Sequence, residues 1–385
     1  MTTLHRTARS LAAAGVLAAS ALALVPGSAH AQRTSSSSGP DHVFVIMMEN
    51  HGTDQIIGNT ADAPYITSLA RRYNVATNYH GVTHPSLPEY LAAISGSFQG
   101  IWDDCKAGAD VTCEPEEFVP GSGDATDGAA LTPEQFASAS ETPHLFGGRT
   151  LVDQLEASGR TWKAYLQWMP SVGFEGEYAP VVNGTTVKLY AQKHNPFMYF
   201  SGINSPGNPR LNNIVPGDQL GADLASGNVP NLVWISPDQC HDMHGISASS
   251  AALIGNPKCG YPDSGLDHGA IQLGDDYVKQ AVAQITSSQT WKTTNSSIVL
   301  MWDENDYSGF SGGPGSPVGA NGVVLGGGDA PLLVINSAGG PHITSDTPAD
   351  EYTVLATIEK LWHLGCLANT CSPTTSGSLL ELFRP

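Results

Sequence analysis

Four apolar runs stand out along the chain: HVFVIMM (42–48), NLVWISP (231–237), SSIVLMW (296–302) and PLLVINS (331–337). Their hydrophobicity is continuous rather than alternating, as expected of strands buried on both faces of a parallel sheet. TWKAYLQ (161–167) is strand-like beside them. Helical spacing fills the intervals. APYITSLARRY (63–73) puts Ile66, Leu69 and Ala70 on one face, YLAAISG (90–96) closes at Gly96, and TLVDQLEAS (150–158) stops before Gly159. YVKQAVAQITSS (277–288) is amphipathic, and EYTVLATIEKLWHL (351–364) is the last long helix. Strands alternating with helices predict an α/β fold, a mostly parallel central sheet with helices on both faces. Ligands in such folds bind beyond the carboxyl ends of the strands. Three of the continuous runs end there in polar clusters: Glu49-Asn50-His51, DQCHDMHG (238–245) and DEND (303–306). The Gly-, Pro- and Asp-rich stretches 98–149, 170–230 and 308–328 read as long surface loops, and no internal repeat is visible.

The first residues follow another pattern. His5, Arg6 and Arg9 precede an apolar run from Leu11 to Val25, then Ala29-His30-Ala31. That order predicts a secretory signal (1–31) cleaved near Ala31, because the run is too short and wrongly flanked for a membrane span. QRTSSSSGP is a polar, flexible lead-in over 32–40. A single domain over 41–385 is the economical expectation, exported and without stable membrane insertion.

Charge and cysteine content narrow the chemistry. Lys and Arg number 17 against 36 Asp and Glu, a formal net charge of −19. Such a chain repels nucleic acid and anionic surfaces at long range. A phosphorylated substrate would need a local cation, and a divalent metal is the economical source. The six cysteines fall into three sequence-local couples, Cys105/Cys113, Cys240/Cys259 and Cys366/Cys371. An even count in an exported chain predicts three local disulfides.

Glu49 and Asn50 offer hard oxygen ligands at a strand end. Asp303, Glu304 and Asp306 repel one another unless a cation or solvent relieves them. Asp242 and His244, two apart on an extended segment, point to the same side and could bind metal or phosphate or serve as acid and base. His194 lies in KHNPF (193–197). The stretch THPSLPEY (83–90) places Ser86 just before a helix whose first turn begins with Pro88, a residue tolerated where amides have no helical partner. The helix N-terminus favours an anion, so a metal-activated Ser86 hydroxyl could attack phosphorus. An ordinary serine N-cap is the competing reading.

Taken together, VFVIMMENHG, VTHPSLPEYLAAISGS, YAQKHNPF, NLVWISPDQCHDMHG, IVLMWDEND and EYTVLATIEKLW resemble, in this order, the bacterial phosphoesterase family of secreted acid phosphatases and phospholipases C. The resemblance runs from about residue 42 to 364 and is closest to the secreted actinobacterial acid phosphatases, a branch that includes phosphatidylinositol 3-phosphatase. It implies an alkaline-phosphatase-like α/β fold and a secreted, metal-dependent phosphomonoesterase acting through a phosphoserine at Ser86, with Thr83 the lesser alternative. It also implies metal ligands at Glu49, Asn50, Asp303, Glu304 and Asp242, the cation being Mg, Ca, Mn or Zn. His84, His194 and His244 would lie near the phosphate, with His244 or His194 protonating the leaving alkoxide. The implied substrate is a phosphorylated small molecule or a phosphoinositide-type compound. A phospholipase C-like phosphodiesterase and a non-catalytic binding protein on the same scaffold are the alternatives. Three positions depart from the family pattern: Glu89 stands where Asn is usual, Glu351 where His is usual, and SGFSGG follows WDEND in place of DHV.

Overall fold

A computed structural model describes residues 39–121, 128–375 and 377–384; the signal sequence and most of the lead-in expected above lie outside them. Ten strands are present among the described residues: β1 (His42–Met48), β2 (Asn74–Ala76), β3 (Trp162–Leu166), β4 (Tyr178–Val182), β5 (Thr185–Ala191), β6 (Ile214–Pro216), β7 (Leu232–Ser236), β8 (Ser296–Trp302), β9 (Leu332–Asn336) and β10 (Thr344–Ser345). Eight of them form one sheet in the order β10-β2-β9-β8-β1-β7-β3-β6. The run from β8 through β1, β7 and β3 to β6 is parallel throughout. β9 is antiparallel to both β8 and β2. The α/β expectation with a mostly parallel sheet holds.

The continuous apolar runs are where the sheet is doubly covered. Every residue of β7, β8 and β9 is buried, as is β1 from Val43 onward. The helices at Glu351–Leu361 and Ser86–Ser95 pack on one another, as do those at Pro64–Arg72 and His268–Ser287. The second pair is also joined by charge. Asp275 accepts from the amides of Tyr65 and Ile66 at 3.0 and 2.7 Å, filling donors that the first helical turn leaves open.

Three local expectations change. The helix placed at 90–96 begins at Ser86, with Pro85 as its N-cap, so Pro88 occupies the third position rather than the first. Proline is harmless there too, because the first four helical amides lack partners. Gly96 ends the helix in the left-handed conformation (φ 72°), as its position suggested. The helix placed at 277–288 begins nine residues earlier, at His268, where Asp267 accepts from the Ala270 amide. Finally, the stretches read as surface loops are partly built structure. Trp102, Phe118, Leu131 and Ala139 from 98–149 pack with Leu325 in a small core of their own. Within 170–230, β4 and β5 form a hairpin turned at Asn183-Gly184, both at positive φ. The hairpin feeds directly into the turn Gln192–His194.

The six cysteines form the three expected local disulfides, Cys105–Cys113, Cys240–Cys259 and Cys366–Cys371. No helix among the described residues is long and apolar enough to cross a membrane.

Candidate active site

β1 lies between β7 and β8, so the residues that follow these three strands emerge side by side. Met48 pairs with Trp302 in register, which sets Glu49 and Asn50 beside Asp303 and Glu304. The Asp303 amide donates to the Met48 carbonyl at 3.0 Å and the Glu49 amide to the Asp242 carbonyl at 2.8 Å, tying all three strand ends together. The acidic clusters predicted at separate points of the sequence therefore share one locus. Asp306, in contrast, turns outward, where it accepts from Gln55.

Ser86 faces this cluster from the first position of its helix. Its hydroxyl stands 2.9 Å from Glu49 Oε2 and 3.1 Å from Glu304 Oε1, and it makes no capping hydrogen bond, so the N-cap reading fails. Thr83, the alternative hydroxyl, is fully buried and accepts from the Trp102 indole at 3.0 Å. A residue that the sequence reading passed over completes the group. Lys193 Nζ lies 3.3 Å from Ser86 Oγ, 2.6 Å from Asp104 Oδ2 and 3.2 Å from His244 Nε2. Burial disfavours its charge, but Asp104 first and then Glu49 more than compensate, so the ammonium is held firmly protonated. Asp104 also accepts from the Leu87 amide at 3.0 Å, which occupies one helix N-terminal donor otherwise available to an anion.

The three histidines converge differently. His84 contacts Glu304 through Nδ1 and stacks on Tyr307, 4.1 Å between ring centroids, with Phe310 edge-on. The SGFSGG departure thus begins in a segment that walls His84 with aromatics. Burial lowers its pKa to about 3. His194 stacks on Tyr90 and places Nε2 3.1 Å from Glu49 Oε1 and Nδ1 3.2 Å from Asp242 Oδ2. The distances are those of ion pairs, yet Nε2 and Asp242 Oδ2 lack hydrogen-bond geometry. Burial, reinforced by Lys193, keeps this ring neutral. His244 is held to about 3 by burial and then by Lys193; its Nδ1 faces the Gly245 carbonyl at 2.9 Å, leaving Nε2 to accept from Lys193.

The donor set fits a divalent cation. Ligand atoms of Glu49, His194 and His244 lie within 4.8 Å of one another. Asn50 Oδ1, Asp303 Oδ2, Asp242 Oδ2 and His194 Nε2 are buried without a hydrogen-bond partner among the described residues. Burial raises the pKa of Glu49, Asp303, Glu304 and Asp242 well above the carboxylate range. Carboxylates so placed, with open lone pairs, call for a cation. A second cluster, Asp103 with Cys105 and Cys113, offers no such site because the two sulfurs are bonded to each other.

A cavity of ≈460 Å³ opens over Lys193 and His244, lined also by Asp104, Lys188, Tyr178 and Tyr261. That volume suits a small organic ligand. In a chain with 17 Lys and Arg, the lining gathers Lys106, Lys188 and Lys193.

Known proteins resemble this chain over most of its length. A Kluyveromyces lactis protein named as a probable acid phosphatase is 23% identical over 329 residues, 84% of this chain and 59% of its own length. The Mycobacterium tuberculosis phosphatidylinositol-3-phosphatase is 26% identical over 308 residues, covering 79% of this chain and 78% of that protein. Among solved structures, a Vibrio parahaemolyticus protein described as in the alkaline phosphatase superfamily aligns over 90% of this chain and 72% of that one, with 14% identity and a TM-score of 0.46. The model of the Phosphoesterase family matches residues 59–255 and 259–365, which include Ser86, Lys193, His194, Asp242, Asp303 and Glu304. The chain belongs to the Phosphoesterase family.

Proposed function

We propose that the chain is an exported, divalent-cation-dependent phosphatase that hydrolyses phosphate monoesters through Ser86. The observation that carries this reading is the position of Ser86 Oγ, within 3.1 Å of two buried carboxylates and 3.3 Å from a buried ammonium. Three disulfides support folding in an oxidising compartment. The relative named as a phosphatidylinositol-3-phosphatase makes a phosphoinositide-type headgroup one substrate to test.

Glu49, Asn50, Asp242, Asp303 and Glu304, with His194 and His244 alongside, would hold the cation. Once bound, it would lower the seryl pKa and polarise the phosphoryl oxygens. Ser86 passes its proton to Glu304 Oε1 or Glu49 Oε2 as Oγ attacks phosphorus. His84, stacked on Tyr307, holds the far oxygen of Glu304 and so fixes which carboxylate edge meets the serine. Lys193 meets the charge that develops on the equatorial oxygens, a task the Leu87 amide cannot share while Asp104 occupies it. The leaving alkoxide takes a proton from Lys193, whose ammonium His244 Nε2 orients by accepting from it. His244 lines the cavity, whereas His194 is walled in by Tyr90. Water then attacks the phosphoserine in line, its proton passing to the Lys193 amine left neutral by the first step, and the departing Ser86 Oγ takes its proton back from the carboxylate as phosphate is released.

Hydrolysis of para-nitrophenyl phosphate by the wild type and Ser86→Ala, with Mg, Mn, Ca or Zn supplied, tests this. Loss of about 10⁴-fold or more in kcat for the variant is expected. Turnover unchanged by the substitution removes Ser86 as nucleophile. Cleavage of the bis(para-nitrophenyl) ester alone moves the reading to a diesterase.

A further inference from the structure

Behind the serine loop, Glu89 and Glu351 meet in the protein interior with no exposed surface. One comes from the Ser86–Ser95 helix and the other from the first position of the Glu351–Leu361 helix. Both carboxyl groups accept from the same amide: Val82 N lies 2.9 Å from Glu89 Oε2 and 2.9 Å from Glu351 Oε2. Glu89 Oε1 also accepts from the Thr83 amide, and Glu351 Oε1 from the Tyr79 hydroxyl. The two carboxyl groups thus converge on one backbone donor, and each acts on the titration of the other. Two fully buried carboxylates drawn onto a single amide repel each other unless one of them carries a proton.

The charged and titratable groups facing the pair offer no counter-charge. Glu304 faces it from the end of β8, Asp350 from its own helix, and Tyr79 and Tyr352 present hydroxyls. Tyr79 also faces Asp303. The ion pairs of the described residues include neither glutamate. Backbone seals the other sides. A Cβ at Gly81 would stand 2.6 Å from the Asp303 carbonyl, and one at Gly327 only 2.7 Å from Glu89 Oε1. The segment 81–83 is thereby pressed between the end of β8, the segment 327–328, with which Gly81 exchanges two backbone hydrogen bonds, and the two carboxyl groups.

We propose that Glu89 and Glu351 share one proton and act as a positioning clamp, fixing the backbone of Val82 and Thr83 and, through it, the placement of His84 and Ser86 against Glu304 and Glu49. The proposal rests on the reading of Ser86 as the nucleophile only for its effect on rate; the clamp itself is a property of the fold. When the proton leaves to solvent, two adjacent carboxylates remain with one amide between them, and the clamp opens. Burial is the main reason that Glu351 is raised, to about 8, and Glu89 is raised for the same reason and by Glu351. The folded protein therefore holds a proton that the unfolded chain has released. The stability this supplies is complete below the ordinary glutamate range and is lost as pH rises toward 8. The two departures from the family pattern are thus one feature, and it favours acid conditions.

The test compares the full mature chain with Glu89→Gln and Glu351→Gln, each metal-saturated. An amide donates to the remaining carboxylate without needing a shared proton. The wild-type folding equilibrium constant should fall, relative to Glu89→Gln, by up to about tenfold per pH unit across the upper part of the window. The infrared band of a protonated carboxylic acid should weaken over the same range in the wild type and be diminished in either variant. The alkaline limb of kcat for para-nitrophenyl phosphate should move to higher pH in the variants, with KM little changed. Parallel stability curves with identical infrared spectra would overturn the clamp. If one variant fails to fold, the other carries the same comparison. If the stability and infrared results appear but no variant or wild type turns over substrate, the clamp stands and the phosphatase reading falls.

Discussion

Two groups of buried acids lie close together and are handled in opposite ways. At the strand ends, one oxygen each of Asp303, Asp242 and Asn50 is bare, and Glu49 and Glu304 meet only the Ser86 and Tyr90 hydroxyls and neutral imidazoles. Behind the serine loop, Glu89 and Glu351 have all four oxygens met by backbone amides and a hydroxyl. Residue type, burial and sign of charge are the same. The difference is in the donors, and it separates a cluster that calls for a metal from one satisfied by a proton. An acidic cluster alone says little; what its lone pairs face says which partner it awaits.

The sharpest way to break this comparison is at Asp303. Asp303→Asn should weaken divalent-metal affinity at least about 100-fold, measured by calorimetric titration, and take activity down with it. An unchanged affinity would mean that the bare oxygens do not bind metal. Next, Lys193→Met should cost about 10²–10³-fold in kcat, because a preorganised cation beside the reacting oxygen is lost, while metal affinity is not lowered. A variant in which only metal binding suffers would make Lys193 part of the metal's surroundings rather than the phosphate's. The smallest effect concerns the satisfied pair. Tyr79→Phe removes a donor shared between Glu351 and the Trp302 carbonyl and should destabilise the fold by about 1–3 kcal/mol in denaturant titration, leaving metal binding intact. A loss of metal affinity in that variant would show that the two groups are coupled rather than separate.

Much of the frame was legible because sheets buried on both faces leave long apolar runs, and β1, β7, β8 and β9 carry them. The direction of β9 was not legible: an apolar run looks the same in either orientation. Three-residue strands such as β2 and β6 give no periodicity to read. The β4–β5 hairpin was readable in principle, since Asn-Gly between VV and TTV is a strong turn signal, yet it sat within a stretch judged by its Gly and Pro content. The convergence of Glu49 with Asp303 followed from parallel strands. Lys193 was hidden beside His194, because nothing local distinguishes a lysine aimed at a serine more than a hundred residues away. The pairing of Glu89 with Glu351 depends on two helices meeting, which neither segment announces.

One disulfide stands at the cavity, and a second closes the segment that brings His244 to it. Cys105–Cys113 forms part of its wall, and Cys240–Cys259 brackets the segment that carries Asp242 and His244. Short covalent loops leave such a rim little room to swing. On the reading of Ser86 as nucleophile, such a mouth would act as a gauge of fixed aperture, sorting phosphate esters by whether they fit.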